Sequence, residues 1–123
     1  MREKCHVFEN SRAEDAFAQL DLEEVENYGE EKYGHYLHVW DQGCRKLMRC
    51  RTCGAFILMQ QSVFLSFVNA LNSEYIDWFP VSGPKEADEL NKRYDGHQLE
   101  RRFEGRYLRS TNGVPYWSDQ EQA

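Results

Sequence analysis

The chain has 123 residues and a formal net charge of −6, and seven Phe, seven Tyr and three Trp supply the large rings for a modest core. The negative balance argues against non-specific nucleic-acid binding, which needs a basic surface. The longest apolar stretches, 55–59 and 63–68, are far too short to span a membrane, and no apolar run follows Met1-Arg2-Glu3-Lys4-Cys5-His6. No membrane partner and a cytoplasmic location are therefore expected.

In chain order, Ser11-Arg12-Ala13-Glu14 has the pattern of a capping box. Ala13, Ala16, Phe17, Leu20 and Val25 fall roughly on one helical face, which predicts a helix over 12–27. Asp15, Asp21, Glu23, Glu24 and Glu26 then line its solvent side, and Gly29 stops it. Two strand-like runs, 33–40 and 44–50, flank Asp41-Gln42-Gly43 and predict a β-hairpin. Residues 55–60 read as a further buried strand. The apolar positions 63, 64, 67, 68 and 71 match helical spacing and predict a short helix.

The aromatic segment 75–81 is expected to be extended, since Pro80 pushes Phe79 away from helical geometry. Ser82-Gly83-Pro84 opens a helix to about residue 94, with Gly96 past its end, and 99–102 forms one further turn. Asn112-Gly113 between 106–111 and 114–117 is the strongest hairpin signal, because both residues suit the positive φ values of a type I′ turn. Pro115 must then lie on an edge. The expected fold is a single α+β domain over 1–123, a mainly antiparallel sheet built from hairpins with two or three helices.

Charge is unevenly spread. Residues 1–40 carry ten acids against four bases, whereas 41–60 carry Arg45, Lys46, Arg49 and Arg51 against Asp41 alone. An internal match between the two is expected, with a ligand-facing basic patch as the alternative.

The segment Arg49-Cys50-Arg51-Thr52-Cys53-Gly54 carries the clearest chemistry. Two cysteines separated by two residues can aim both thiolates at one tetrahedral ion, and Gly54 lets the chain reverse. A zinc-knuckle turn at Cys50–Cys53 is expected, with reduced thiols or a redox pair as alternatives. The redox alternative is disfavoured because a strand, not a helix N-terminus, follows. On a strand Cys44 lies about 20 Å from Cys50, whereas ligands of one zinc sit within about 4 Å of each other. Cys44 is thus a plain thiol, and His38 is also too far. The expected metal ligands are Cys5, Cys50 and Cys53, with His6 or His35 as the fourth.

Residues 49–58 resemble the knuckle-then-strand half of a zinc ribbon, a Cys-x-x-Cys-Gly turn followed by an apolar run. Zinc ribbons bring a second knuckle, and here only Cys5-His6 is available for that part.

Catalytic signatures are missing: the serines have no glycine elbow, Asp77, Asp88 and Asp95 form no carboxylate pair, and His97 reads as a loop histidine. Tyr75-Ile76-Asp77-Trp78-Phe79-Pro80 suits either a core strand or a binding surface. The expected function is a cytosolic, zinc-stapled protein-interaction module (adaptor, inhibitor or immunity type) with a basic protein partner. The alternatives are a zinc-ribbon-like nucleic-acid binder using residues 45–51, and a small zinc hydrolase or thiol enzyme.

Overall fold

Buried side chains lie on both faces of the sheet, and each face is covered by a different part of the chain. The computed structural model describes residues 5–29, 42–64, 73–94 and 98–119. Its strands are β1 (Leu22–Gly29), β2 (Gln42–Cys50), β3 (Phe56–Phe64), β4 (Ser73–Val81), β5 (Leu108–Thr111) and β6 (Val114–Trp117). They form one six-stranded sheet whose spatial order follows the chain, and every neighbouring pair is antiparallel. The helices are α1 (Ala13–Ala18), α2 (Pro84–Arg93) and α3 (Gln98–Arg102), and a 3-10 turn at His6–Glu9 precedes α1. The expected α+β class with an antiparallel sheet is observed.

Because strand side chains alternate between faces, Ile57, Trp78, Leu108 and Trp117 pack with Cys5, Val7, Ala13 and Ala16 from the N-terminal segment. Leu47, Leu58, Phe79, Val81 and Tyr107 pack on the opposite face with Ala87 of α2 and Leu99 of α3. The aromatic segment 75–81 is thus a core strand. Pro84 starts α2 at its first turn as expected, and Ser82 N–H donates to Glu86 Oε1 at 2.8 Å. Asn112 (φ 49°) and Gly113 (φ 86°) make the β5–β6 turn, and Pro115 lies on the edge strand β6.

The helix expected over 12–27 ends at Ala18, and its second half is β1. The Ser11–Glu14 capping box does not form: Arg12 is the N-cap without a side-chain cap bond, and the Ser11 carbonyl accepts from Trp117 Nε1 instead. Residues 22–29 become a strand because β2 offers them a ladder and charge partners. Glu23 pairs with Arg49 opposite it, Lys46 Nζ lies 3.0 Å from Glu24, and Arg51 N–H donates to the Asp21 carbonyl. A bulge at Val25, half of which is exposed, breaks the alternation and made the segment look helical.

The hairpin expected between 33–40 and 44–50 is corrected on the side of β2, whose two edges are taken by β1 and β3. Residues 33–40, with His35 and His38, lie outside the described residues, as do Gly96 and His97. The helix expected over 63–71 is also corrected, since Val63 and Phe64 continue β3 in register with Glu74 and Ser73. Its remaining positions lie outside the described residues.

Candidate metal centre

The β2–β3 connection is a tight turn in which Gly54 N–H donates to the Cys50 carbonyl at 2.8 Å and Cys50 N–H to the Ala55 carbonyl at 2.9 Å. Gly54 takes φ +78°, the left-handed conformation that glycine adopts without a Cβ penalty. The turn leaves Cys50 buried at the end of β2 and Cys53 exposed at the tip. Against it lies the 3-10 turn, with Cys5 as its N-cap and His6 as its first residue.

Candidate ligand atoms of Cys5, His6, Cys50 and Cys53 all lie within 4.8 Å of one another, and these residues could hold a metal ion. Cys5 Sγ is 3.6 Å from His6 Nδ1, Cys50 Sγ is 3.8 Å from the same nitrogen, and Cys53 Sγ is 3.5 Å from Cys5 Sγ. A tetrahedron with zinc–sulfur and zinc–nitrogen bonds of ordinary length has edges of roughly 3.5–3.8 Å, so the donor set fits such an ion. The turn lets adjacent residues Cys5 and His6 converge, which an extended backbone would prevent. All four cysteines are reduced. Cys44, at the far end of β2, faces Gln61 at 3.7 Å and takes no part in the group.

The thiols are not equivalent. Burial pushes Cys5 up to about 12, against a hydrogen bond from the Val7 backbone, with the neighbouring Cys53 and Cys50 adding to the rise. Burial also pushes Cys53 up, but bonds from the His6 side chain, the Ala55 and His6 backbone and Cys5 outweigh it and lower this thiol to about 6. In the metal-free chain Cys53 is therefore the thiolate at neutral pH. Cys5 holds its proton more firmly than Cys53, and a bound cation would take that proton's place.

A second polar group lies on the helix-covered face, and sequence reasoning missed it. Arg45, Gln60, Asp77 and Arg109 stand in direct cross-strand register on β2, β3, β4 and β5. Arg45, fully buried, donates from Nε to Gln60 Oε1 at 3.0 Å, and from Nη1 to Asn91 Oδ1 at 3.2 Å and the Tyr94 carbonyl at 2.7 Å. Arg109 Nε lies 2.8 Å from Asp77 Oδ1, and the same guanidinium pairs with Glu100 of α3. Burial raises Asp77 to about 7 despite Arg109, with Glu100 adding to the rise. In the sequence these residues are four separate polar positions; only register aligns them. Gln60 Nε2 and Ser62 Oγ are buried here with no hydrogen-bond partner among the described residues.

The basic residues of 45–51 are engaged inside the molecule. Arg45 is buried in the row just described, Lys46 pairs with Glu24, Arg49 with Glu23, and Arg51 Nη1 lies 3.5 Å from Asp21 Oδ1. The internal charge match is present, but it joins β2 to an acidic strand, not to a helix. No helix among the described residues is long and apolar enough to cross a membrane. No family model matches the chain, and neither a curated protein nor a solved structure shows significant similarity to it.

Proposed function

We propose that the chain is a small zinc-stapled protein-interaction module of the adaptor, inhibitor or immunity type, acting in the cytoplasm as one domain and without catalytic chemistry. The observation that carries this is the convergence of Cys5, His6, Cys50 and Cys53 within 4.8 Å. Three sulfur donors and one imidazole favour zinc over the hard, oxygen-seeking cations. Four protein ligands leave no open position for water or substrate, which supports a structural role. Cys50–Cys53 then acts as a zinc knuckle whose second half is Cys5-His6, and the ion ties the N-terminal segment to the β2–β3 turn. Such a tie adds directly to the folding free energy of a small domain.

A protein partner of basic character is favoured by the net charge of −6, which steers association with cationic surfaces. Engagement of Arg45, Lys46, Arg49 and Arg51 within the chain favours this over nucleic acid.

The test is elemental analysis of untagged protein beside melting curves with and without chelator, followed by retention on a polyanion column. About one zinc per chain, a chelator-induced loss of stability and no salt-dependent retention are expected. A metal-free chain whose melting ignores chelator would remove the staple, and strong salt-dependent retention would overturn the partner class.

A further inference from the structure

We propose that Cys5 and Cys53 form a peroxide-oxidisable pair which releases the metal while keeping the N-terminal segment tied to the sheet. This rests on the metal-site function proposed above.

Access is unequal among the four residues. Cys5 and Cys50 are sealed in the core, His6 is half-buried, and Cys53 alone is exposed. It sits in the turn over residues 51–54, all of which are exposed, and its sulfur is 3.5 Å from that of Cys5. A small hydroperoxide reaching the centre therefore meets Cys53 first. The Cys53 sulfur attacks one peroxide oxygen, the O–O bond breaks, hydroxide leaves and a sulfenic acid forms. The Cys5 sulfur then attacks the Cys53 sulfur; the S–O bond breaks, a second hydroxide leaves and the disulfide forms. Two electrons pass from the two sulfurs to the peroxide, which ends as two hydroxides and, with protons, two waters.

The closing movement is small. Two sulfurs 3.5 Å apart must approach to about 2.05 Å, and the exposed turn can supply the difference. Two of the four ligands are then consumed, and Cys50 with His6 cannot retain zinc against solvent. Yet the new bond joins the same two segments that the ion joined: the turn carrying Cys53 and the N-terminal stretch carrying Cys5. Loss of metal is thereby separated from loss of fold.

The test uses the zinc-loaded full-length chain treated with hydrogen peroxide. Released zinc is read with a chromogenic chelator, the sulfur product by non-reducing peptide mapping, and the fold by far-UV circular dichroism. Expected are release of about one zinc per chain, a loss of roughly 2 Da mapped to Cys5–Cys53, an unchanged spectrum, and renewed zinc uptake after dithiothreitol. Cys44→Ser should give the same result. A Cys50–Cys53 bond, a Cys53 sulfinic acid with Cys5 still a thiol, or zinc retained after the peroxide is consumed would each overturn the proposal. A chain that takes up no zinc sinks the metal-site function instead. Peptide mapping of that metal-free chain still decides the sulfur pair, upheld by a Cys5–Cys53 bond and sunk by its absence.

Discussion

Asp77 on β4 and Arg109 on β5 stand directly opposite each other, with Arg109 Nε 2.8 Å from Asp77 Oδ1 and the Asp77 side chain wholly shut from solvent. Burial makes Asp77 keep its proton despite Arg109, and Glu100 of α3, which shares the guanidinium, adds to the rise. This is a charge-bearing junction between the sheet and the short helix above it.

The pH dependence follows from that junction. Asp77 holds its proton up to about 7 in the folded chain, against 3.8 for an ordinary aspartate. Between those values the folded state binds more protons than the unfolded state, so stability falls as pH rises through the window and levels off above it. The slope from this group is at most roughly 1.4 kcal/mol per pH unit. Denaturant melts of wild type and Asp77→Asn from pH 4.5 to 8 should show the wild type losing stability relative to the variant with rising pH. Parallel curves would remove the raised affinity of Asp77 for its proton.

The thiols should separate into two classes. Cys5→Ser, Cys50→Ser and Cys53→Ser each remove a candidate donor and should cost on the order of 3 kcal/mol or more in zinc-loaded protein. Cys44→Ser, at the other end of β2, should change stability by about 0.5–1 kcal/mol or less. With chelator present, the gap between these three variants and wild type should narrow, most fully for Cys53→Ser, whose side chain is exposed. A Cys44→Ser loss as large as the others would contradict the grouping.

Arg45 offers a test of the buried row. Arg45→Met leaves Gln60 Oε1, Asn91 Oδ1 and the Tyr94 carbonyl without this donor, and should cost roughly 3–5 kcal/mol in urea denaturation. Adding Gln60→Leu should recover part of the loss, because it removes one of the stranded acceptors. Additive losses in the double variant would show that Arg45 and Gln60 act independently.

Two glycines distinguish backbone strain from crowding, since a Cβ at either Gly113 or Gly83 would meet nothing within 4 Å. Gly113 has φ +86°, whereas Gly83 is fully extended at φ 171°. Gly113→Ala should lower stability by about 1 kcal/mol through forced left-handed backbone, while Gly83→Ala should stay within about 0.5 kcal/mol. Thermal melts of the two variants are sufficient to compare them.

Features set by neighbouring residues were legible in the sequence. Asn112-Gly113 marked its hairpin because few other pairs accept two consecutive positive φ values. Pro84 marked the start of α2 through its fixed φ and missing N–H, and Cys50-x-x-Cys53-Gly54 marked a turn that can present two sulfurs to one ion. Residues 22–29 were not legible, because three glutamates and a bulged valine read equally well along a helix. Pairing with Arg49 and Lys46 of β2 made them a strand. The group of Cys5, His6, Cys50 and Cys53 was one of the two ligand sets the sequence offered, whereas the alignment of Arg45, Gln60, Asp77 and Arg109 belongs to tertiary structure. Local backbone preference acts over a few residues and is written in them. Which strand lies beside which, and in what register, depends on cross-strand ladders and burial between distant segments, which only the folded chain brings together.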